Sequence, residues 1–229
     1  MAVYNGEKFL AEQLDSILPQ LKLGDEIVIS YDKSQDKTYE IITDYAKKCP
    51  KIKIVFGQSA GVIRNFENAL LNCTNDYIFL CDQDDVWMPN KVDAVLDAFA
   101  KTGADLILHD AVIVDENLHK IEQSFFTKRK CCTGLFKNIV KNSYIGCCMA
   151  FKNEVKLCSL PFPKALPMHD QWIGLVAERF FKVHLLPVPL ILYRRHANNA
   201  SQMHNADILT MLKWRVNILK GLLFCAKKR

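Results

Sequence analysis

The stretch Tyr77-Ile78-Phe79-Leu80-Cys81-Asp82-Gln83-Asp84-Asp85-Val86-Trp87 decides how the rest of the chain is read. Five consecutive apolar residues between polar neighbours make a short buried strand. It ends in three carboxylates within four residues, Asp82, Asp84 and Asp85, which repel one another unless a cation or hydrogen-bond donors compensate. Outward from this point the same pattern recurs. Residues 26–30 form a strand that runs into the polar loop 32–36, and further strands are predicted over 52–56 and 105–109. Helical stripes lie between them: Leu10, Leu14, Ile17 and Leu18 within 7–18, stopped by Pro19; Tyr39, Ile42, Tyr45 and Ala46; Val62, Phe66, Ala69 and Leu70; and a helix over about 90–101. Strands alternating with helices of this size predict an α/β fold with a mostly parallel central sheet flanked by helices. In such sheets ligands bind beyond the carboxyl ends of strands, where both acidic loops fall.

Half of the 229 residues are apolar and 24% are charged, which is the composition of an ordinary globular core and excludes a disordered tail protein. No period of 20–50 residues recurs, so a solenoid is excluded as well. The net charge of +5 is concentrated at one end. Lys213, Arg215, Lys220, Lys227, Lys228 and Arg229 face a single acid, Asp207, across 207–229, leaving 24 basic and 24 acidic residues in the first 206. A body balanced in this way argues against a nucleic-acid binder. The tail interleaves its cations with Leu209, Met211, Leu212, Trp214, Val216, Ile218, Leu219, Leu222, Leu223 and Phe224. It predicts a basic amphipathic helix, either resting peripherally on an anionic membrane or packed with a solvated face.

Nine cysteines, with adjacent pairs at Cys131-Cys132 and Cys147-Cys148, contain no CxxC and no zinc-ligand spacing. Free thiols in this number point to a reducing compartment. With no apolar run of ~18 residues and no basic-then-apolar start, the expectation is a cytoplasmic protein. Residues 111–200 are less regular and carry Gly146 and five prolines at 161, 163, 167, 187 and 189. The opening Met1-Ala2-Val3-Tyr4-Asn5-Gly6 leaves almost no room for a first strand, so that strand is expected to be cut short, with backbone groups of its neighbours unpaired.

Three further constellations stand beside Asp82-Gln83-Asp84-Asp85. The acidic run suits Mg²⁺ or Mn²⁺ between protein carboxylates and phosphates, or else a solvated loop capping a helix. His169-Asp170-Gln171-Trp172 offers a carboxylate base, or a helix N-cap at Asp170. Tyr193-Arg194-Arg195-His196, with Asn198 and Asn199, places cations that would offset leaving-group charge, or marks an exposed basic strand end. Arg64, in Gly61-Val62-Ile63-Arg64-Asn65, is a phosphate or base contact, or a solvated surface residue.

Taken in order, these segments resemble a family 2 glycosyltransferase of the GT-A nucleotide-sugar fold. The matching stretches are Val3 to Leu10, Ile29 to Asp36, Gly61 to Asn65, Cys81 to Trp87, His169 to Trp172 and Tyr193 to Asn199, and the resemblance spans about residues 1–202. It is nearest to the bacterial branch that includes rhamnosyltransferases of surface-polysaccharide assembly. It implies one domain over 1–206, with about 1–110 on the nucleotide side and 111–206 on the acceptor side, followed by the 207–229 helix. It implies an inverting, metal-dependent transfer of sugar from a nucleoside-diphosphate donor to a glycan or lipid-linked hydroxyl. Val3, Tyr4, Asp32, Arg64 and Asp82 would contact the nucleotide. Asp84 would hold Mn²⁺ or Mg²⁺ together with His196, Arg194 would lie at the diphosphate, and Asp170 would be the catalytic base. One departure is Tyr31-Asp32-Lys33-Ser34, where the family has Asp-Asp-Gly-Ser, so easy access to positive φ is lost. Two other readings compete: a degenerate nucleotide- or glycan-binding relic, and an aspartate-dependent phosphohydrolase with Asp82 as nucleophile. The second leaves His169 to Trp172 without a role.

Overall fold

The computed structural model describes residues 1–197, 199 and 208–227, with the side chains of 208, 209, 226 and 227 outside the description. Asn198, Asp207, Lys228 and Arg229, and the side chains of Leu209 and Lys227, therefore lie outside the described residues. A parallel sheet comes first, in the order β1 (Ala2–Val3), β2 (Ile27–Tyr31), β3 (Ile52–Phe56). Every residue of β2 is buried, as expected of a strand covered on both faces. Helices α1 (Leu10–Ile17) and α2 (Thr38–Lys48) make the crossovers, and α3 (Val62–Leu71) follows β3. The apolar stripe of α1 buries Leu10, Leu14 and Ile17, and Pro19 lies in the 3₁₀ turn that follows rather than ending the helix abruptly. The first strand is indeed short: two residues pair with Ser30 and Tyr31, and the Met1 ammonium donates to the Val28 carbonyl at 2.8 Å.

The second sheet adds antiparallel pairings to the parallel ones. Its order is β4 (Tyr77–Phe79), β8 (Met149–Lys152), β6 (Leu106–Val114), β9 (Val183–Arg194), β5 (Val86–Trp87), with β7 (Lys120–Glu122) pairing on β6. Only β6 and β9 run parallel; β4/β8, β6/β8, β5/β9 and β6/β7 are antiparallel. The ladder between β6 and β9 is irregular where Asp110 faces Pro189, next to Pro187. Proline has no N–H to donate to a ladder, so both prolines sit where pairing breaks and the strand continues beyond them. Around this sheet lie α4 (Lys91–Thr102), α5 (Phe125–Arg129), α6 (Leu135–Val140), α7 (Asn153–Ser159), α8 (His169–Phe180) and α9 (Ile208–Lys227).

One core joins the two sheets. Val3 and Ile29 from the first, Leu106, Leu108, Met149 and Phe151 from the second, and Trp172, Ile173 and Val176 of α8 are all at most 1% exposed and belong to one cluster. Helix α9 enters the same core through Ile218, Leu222 and Cys225. No helix among the described residues is long and apolar enough to cross a membrane.

Candidate active site

Beyond β2 and the loop after β4 lies a cavity of about 420 Å³, walled by segments that are far apart in sequence. Tyr4 comes from the turn after β1, Asp32 and Lys33 from the end of β2, Ser59 and Gly61 from the loop before α3, Val62, Asn65 and Phe66 from α3 itself, and Asp82 to Asp84 from the acidic loop. Gly146 and the first turn of α8, with Asp170, close the opposite side, and Tyr193 and Asn199 come from the end of β9. Thus Tyr4, Asp32, Asp82, Asp84 and Asp170 do share one cavity.

Two hydrogen-bonded devices hold the wall formed by Tyr4 and Asp32. Gln83, between the two aspartates, uses both ends of its amide on Tyr4. The Tyr4 N–H donates to Oε1, and Nε2 donates to the Tyr4 carbonyl, both at 2.9 Å. A side chain at Gly6 would come within 2.7 Å of that amide, so the pairing requires glycine there. Asp32 is buried and accepts from the Ser59 N–H at 2.9 Å, beneath Gly57, where a Cβ would fall 2.1 Å from the carboxylate. The sequence pattern assigns Gln83 no role; the signal available was a long amide between two carboxylates beyond a strand end.

The acidic loop divides its residues between cavity and interior. Asp84 Oδ2 lies 2.8 Å from His196 Nε2 and accepts from Asn199 Nδ2 at 3.2 Å. The Asn199 Oδ1 in turn accepts the His196 N–H at 2.6 Å, and the His196 ring centroid is 4.9 Å from that of Phe9. Asp85 points inward and is fully buried, accepting the Arg194 N–H at 2.9 Å. Burial, and then the charge of Asp84, push the Asp85 carboxyl up to about 7. Asp82 is pushed well above the usual carboxylate range, first by burial and then by the charges of Asp85, Asp84 and Asp170.

Such mutual repulsion is what a divalent cation relieves, and hard carboxylate oxygens beside an imidazole fit Mn²⁺ or Mg²⁺. Asp82, Asp85 and Cys147 also bring ligand atoms within 4.8 Å of one another. Burial pushes the Cys147 thiol well above its ordinary range, so without an ion it stays protonated. On the cavity side, Asp84 and His196 stand together, with 2.8 Å between Oδ2 and Nε2.

Across the cavity, α8 begins at His169 with no side-chain cap, and Asp170 stands in its first turn instead of at the N-cap. Its Oδ2 accepts from the Gly146 N–H at 3.2 Å and its Oδ1 from the Gln171 N–H at 2.6 Å. Burial pushes its carboxyl up to about 6, and these hydrogen bonds pull it back. A carboxyl raised to that range titrates close to neutrality. His169 next to it stacks on Phe66 with centroids 3.9 Å apart, and burial pushes it down to about 3, so it is neutral.

Three expected contacts are corrected. Arg194 does not open onto the cavity: Nε donates to the Asp84 carbonyl at 2.7 Å, Nη1 to the Glu116 carbonyl at 2.6 Å, and Nη2 pairs with Glu12. Its guanidinium carbon lies 4.4 Å from the centroid of the Phe9 ring. With every guanidinium nitrogen engaged, it positions the acidic loop from behind and does not meet a diphosphate. Arg64 turns away as well, donating to Glu67 at 2.5 Å and to the carbonyls of Phe162 and Pro163 at 3.2 and 2.9 Å. Val3 is fully buried, and its carbonyl already accepts from the Asp32 N–H at 2.9 Å and Asn65 Nδ2 at 3.3 Å.

Residues 1–156 match the family described as glycosyl transferase family 2. A Nostoc sp. protein described as an uncharacterized glycosyltransferase is 28% identical over 204 residues, covering 86% of this chain and 63% of its own length. The chain thus spans less than two thirds of that relative. The dTDP-rhamnosyl transferase RfbG of Shigella flexneri is 26% identical, over 87% of this chain and 72% of its own. Among solved structures, S. aureus TarS 1–349 in complex with UDP-GlcNAc superposes with a TM-score of 0.77 at 19% identity, covering 97% of this chain and 65% of that one. That likeness shows the fold, which is the GT-A type.

Proposed function

The chain belongs to glycosyl transferase family 2, and from that premise we propose that it moves a sugar from a nucleoside-diphosphate donor to a hydroxyl of a glycan or lipid-linked acceptor, with inversion, in bacterial surface-polysaccharide synthesis. The observation that carries this reading is the single cavity that sets Asp84 and Asp82 opposite Asp170. The donor names attached to RfbG and to the TarS complex support a nucleotide sugar.

In this reading Tyr4 and Asp32 bind the nucleoside end, and Asp170 takes the proton of the acceptor hydroxyl as its oxygen attacks the anomeric carbon. The new carbon–oxygen bond forms on one face while the bond to the diphosphate oxygen breaks on the other, which inverts the centre. A divalent ion, Mn²⁺ or Mg²⁺, held by Asp84 with His196, would supply Lewis-acid neutralisation of the departing diphosphate. Asp170 resembles the opposite-face base of inverting glycosidases in its task.

We also propose one unit over 1–206, its nucleotide side about 1–110 and its acceptor side 111–206, in a cytoplasmic protein; the nine free cysteines support a reducing compartment. Peripheral membrane contact through 207–229 belongs to the same proposal. Helix α9 buries Ile218, Leu222 and Cys225 and leaves Leu212, Val216, Leu219, Leu223 and Phe224 outward among Lys213, Arg215 and Lys220.

Calorimetric titration of UDP, dTDP and GDP, with and without Mn²⁺, beside Asp84→Asn, tests the donor site. The expected result is metal-dependent binding of one nucleotide, weakened at least tenfold in the variant. A folded protein that binds none of the three returns the relic reading to first place.

A further inference from the structure

Residues 123–141 carry Lys128, Arg129, Lys130, Lys137 and Lys141 and no Asp or Glu, whereas the first 206 residues as a whole balance 24 basic against 24 acidic side chains. The segment folds as α5 and α6, two short helices joined by a turn. All five cations are exposed. Between them α6 turns Phe136 and Val140 outward, 80% and 71% exposed, one helical turn apart. These two side chains, with Lys130, Lys137 and Lys141, line a shallow groove. Glu122, beyond the segment, pairs with Lys128 at 3.1 Å.

Helix α6 is fixed to the helix that carries Asp170. Gln171 Nε2 donates to the Asn138 carbonyl at 3.0 Å, and the Gly134 N–H donates to Glu178 at 2.7 Å. An aromatic and an aliphatic side chain held outward inside a ring of cations match the interface of an anionic bilayer, where apolar groups enter the acyl boundary and lysines meet headgroup phosphates. We propose that α5 and α6 form a docking surface for an anionic membrane, separate from α9. Through the α6–α8 contacts, it would set the Asp170 side of the cavity next to lipid-borne substrates. Membrane contact at this surface stands apart from the donor site, while its bearing on lipid-borne substrates rests on the proposed function.

The experiment is cosedimentation of the full chain with vesicles of phosphatidylcholine alone or mixed with phosphatidylglycerol. Binding is expected only to the mixed vesicles, and it should weaken with added salt. Lys137→Gln with Lys141→Gln should lower affinity about 30-fold, as two interfacial cations imply. Phe136→Ser with Val140→Ser should lower it about tenfold or more. Nucleotide titration on the same samples reports folding and the donor site separately. The proposal is overturned if both double variants bind vesicles as the parent does. It is equally overturned if only Lys213→Gln, Arg215→Gln and Lys220→Gln together abolish binding. A dimer on size exclusion that Phe136→Ser disperses would instead make the patch a self-association face, and would also overturn it.

Discussion

Asp84 and Asp85 are adjacent and chemically identical, yet the acidic loop gives them opposite work. Asp84 faces the cavity beside His196 and Asn199. Asp85 faces the interior, accepts the Arg194 N–H, and is pushed up to about 7 by its burial. The same division runs through the whole site. Asp170 and Asp32 line the cavity, whereas Arg194 and Arg64 have their donors engaged with protein carbonyls and carboxylates. Residue type therefore says little about role here; what decides it is whether a polar atom remains directed at the cavity after internal hydrogen bonds are satisfied. Substitutions on the cavity side should change turnover and leave the fold alone, and those on the interior side should cost stability and reach turnover only by displacing a cavity residue.

The largest effect is expected at Asp170. Asp170→Asn keeps the shape and removes the base, so kcat should fall ~10²–10⁴-fold while nucleotide affinity stays within about twofold. Stability near neutral pH should be unchanged or higher, because the variant no longer buries a charge. The sign follows from the raised carboxyl: the native state holds this proton up to about 6, above the unfolded value. Parent stability therefore falls as pH rises through that window, and the variant lacks this component. The parent's rate should rise with pH through about 6 and then level off, as the base loses its proton. Turnover of Asp170→Asn at the parental rate would remove Asp170 from the mechanism and break the cavity half of the comparison.

Arg194 tests the interior half. Its side chain is 3% exposed, while its partner Glu12 is 48% exposed, so that ion pair is screened and most of the loss on truncation comes from the two carbonyls left without donors. Arg194→Ala should cost about 3 kcal/mol in urea unfolding. Turnover should fall through displacement of the Asp84 backbone, and high Mn²⁺ should restore part of it. If the variant is as stable as the parent but loses diphosphate affinity, Arg194 belongs on the cavity side.

The same division explains what could be read from the sequence. Strand β3 falls where the periodicity puts it, and α4 is displaced by one residue, because local apolar patterns set both. Strand β6 runs on to Val114, well past the expected end at 109, because His109-Asp110 looks like a strand terminus. Both are nevertheless buried, and Asp110 accepts from Ser124 Oγ and from the Phe126 N–H across a turn. The carboxylates of the site were legible because charge clustered at a strand end has few structural explanations. The arginines were not: the partners of Arg194 lie 78 to 182 positions away in the chain, and no local pattern reports a contact made only by folding.

Arg64 is where the comparison can be sharpened most finely, since its effect should be the smallest. It clamps α3 to the 162–163 turn, and Glu67 completes the clamp by accepting the Phe162 N–H at 2.5 Å. Arg64→Met preserves the apolar stem and deletes the donors. The side chain is 31% exposed, so water can reach part of the vacated site, and the expected cost is about 1–2 kcal/mol. Nucleotide affinity should not move, because the guanidinium points to the turn and not to the cavity. A tenfold loss of nucleotide affinity at unchanged stability would mean that Arg64 leaves its clamp when the donor binds. The line between cavity and interior would then have to be drawn for the liganded enzyme separately.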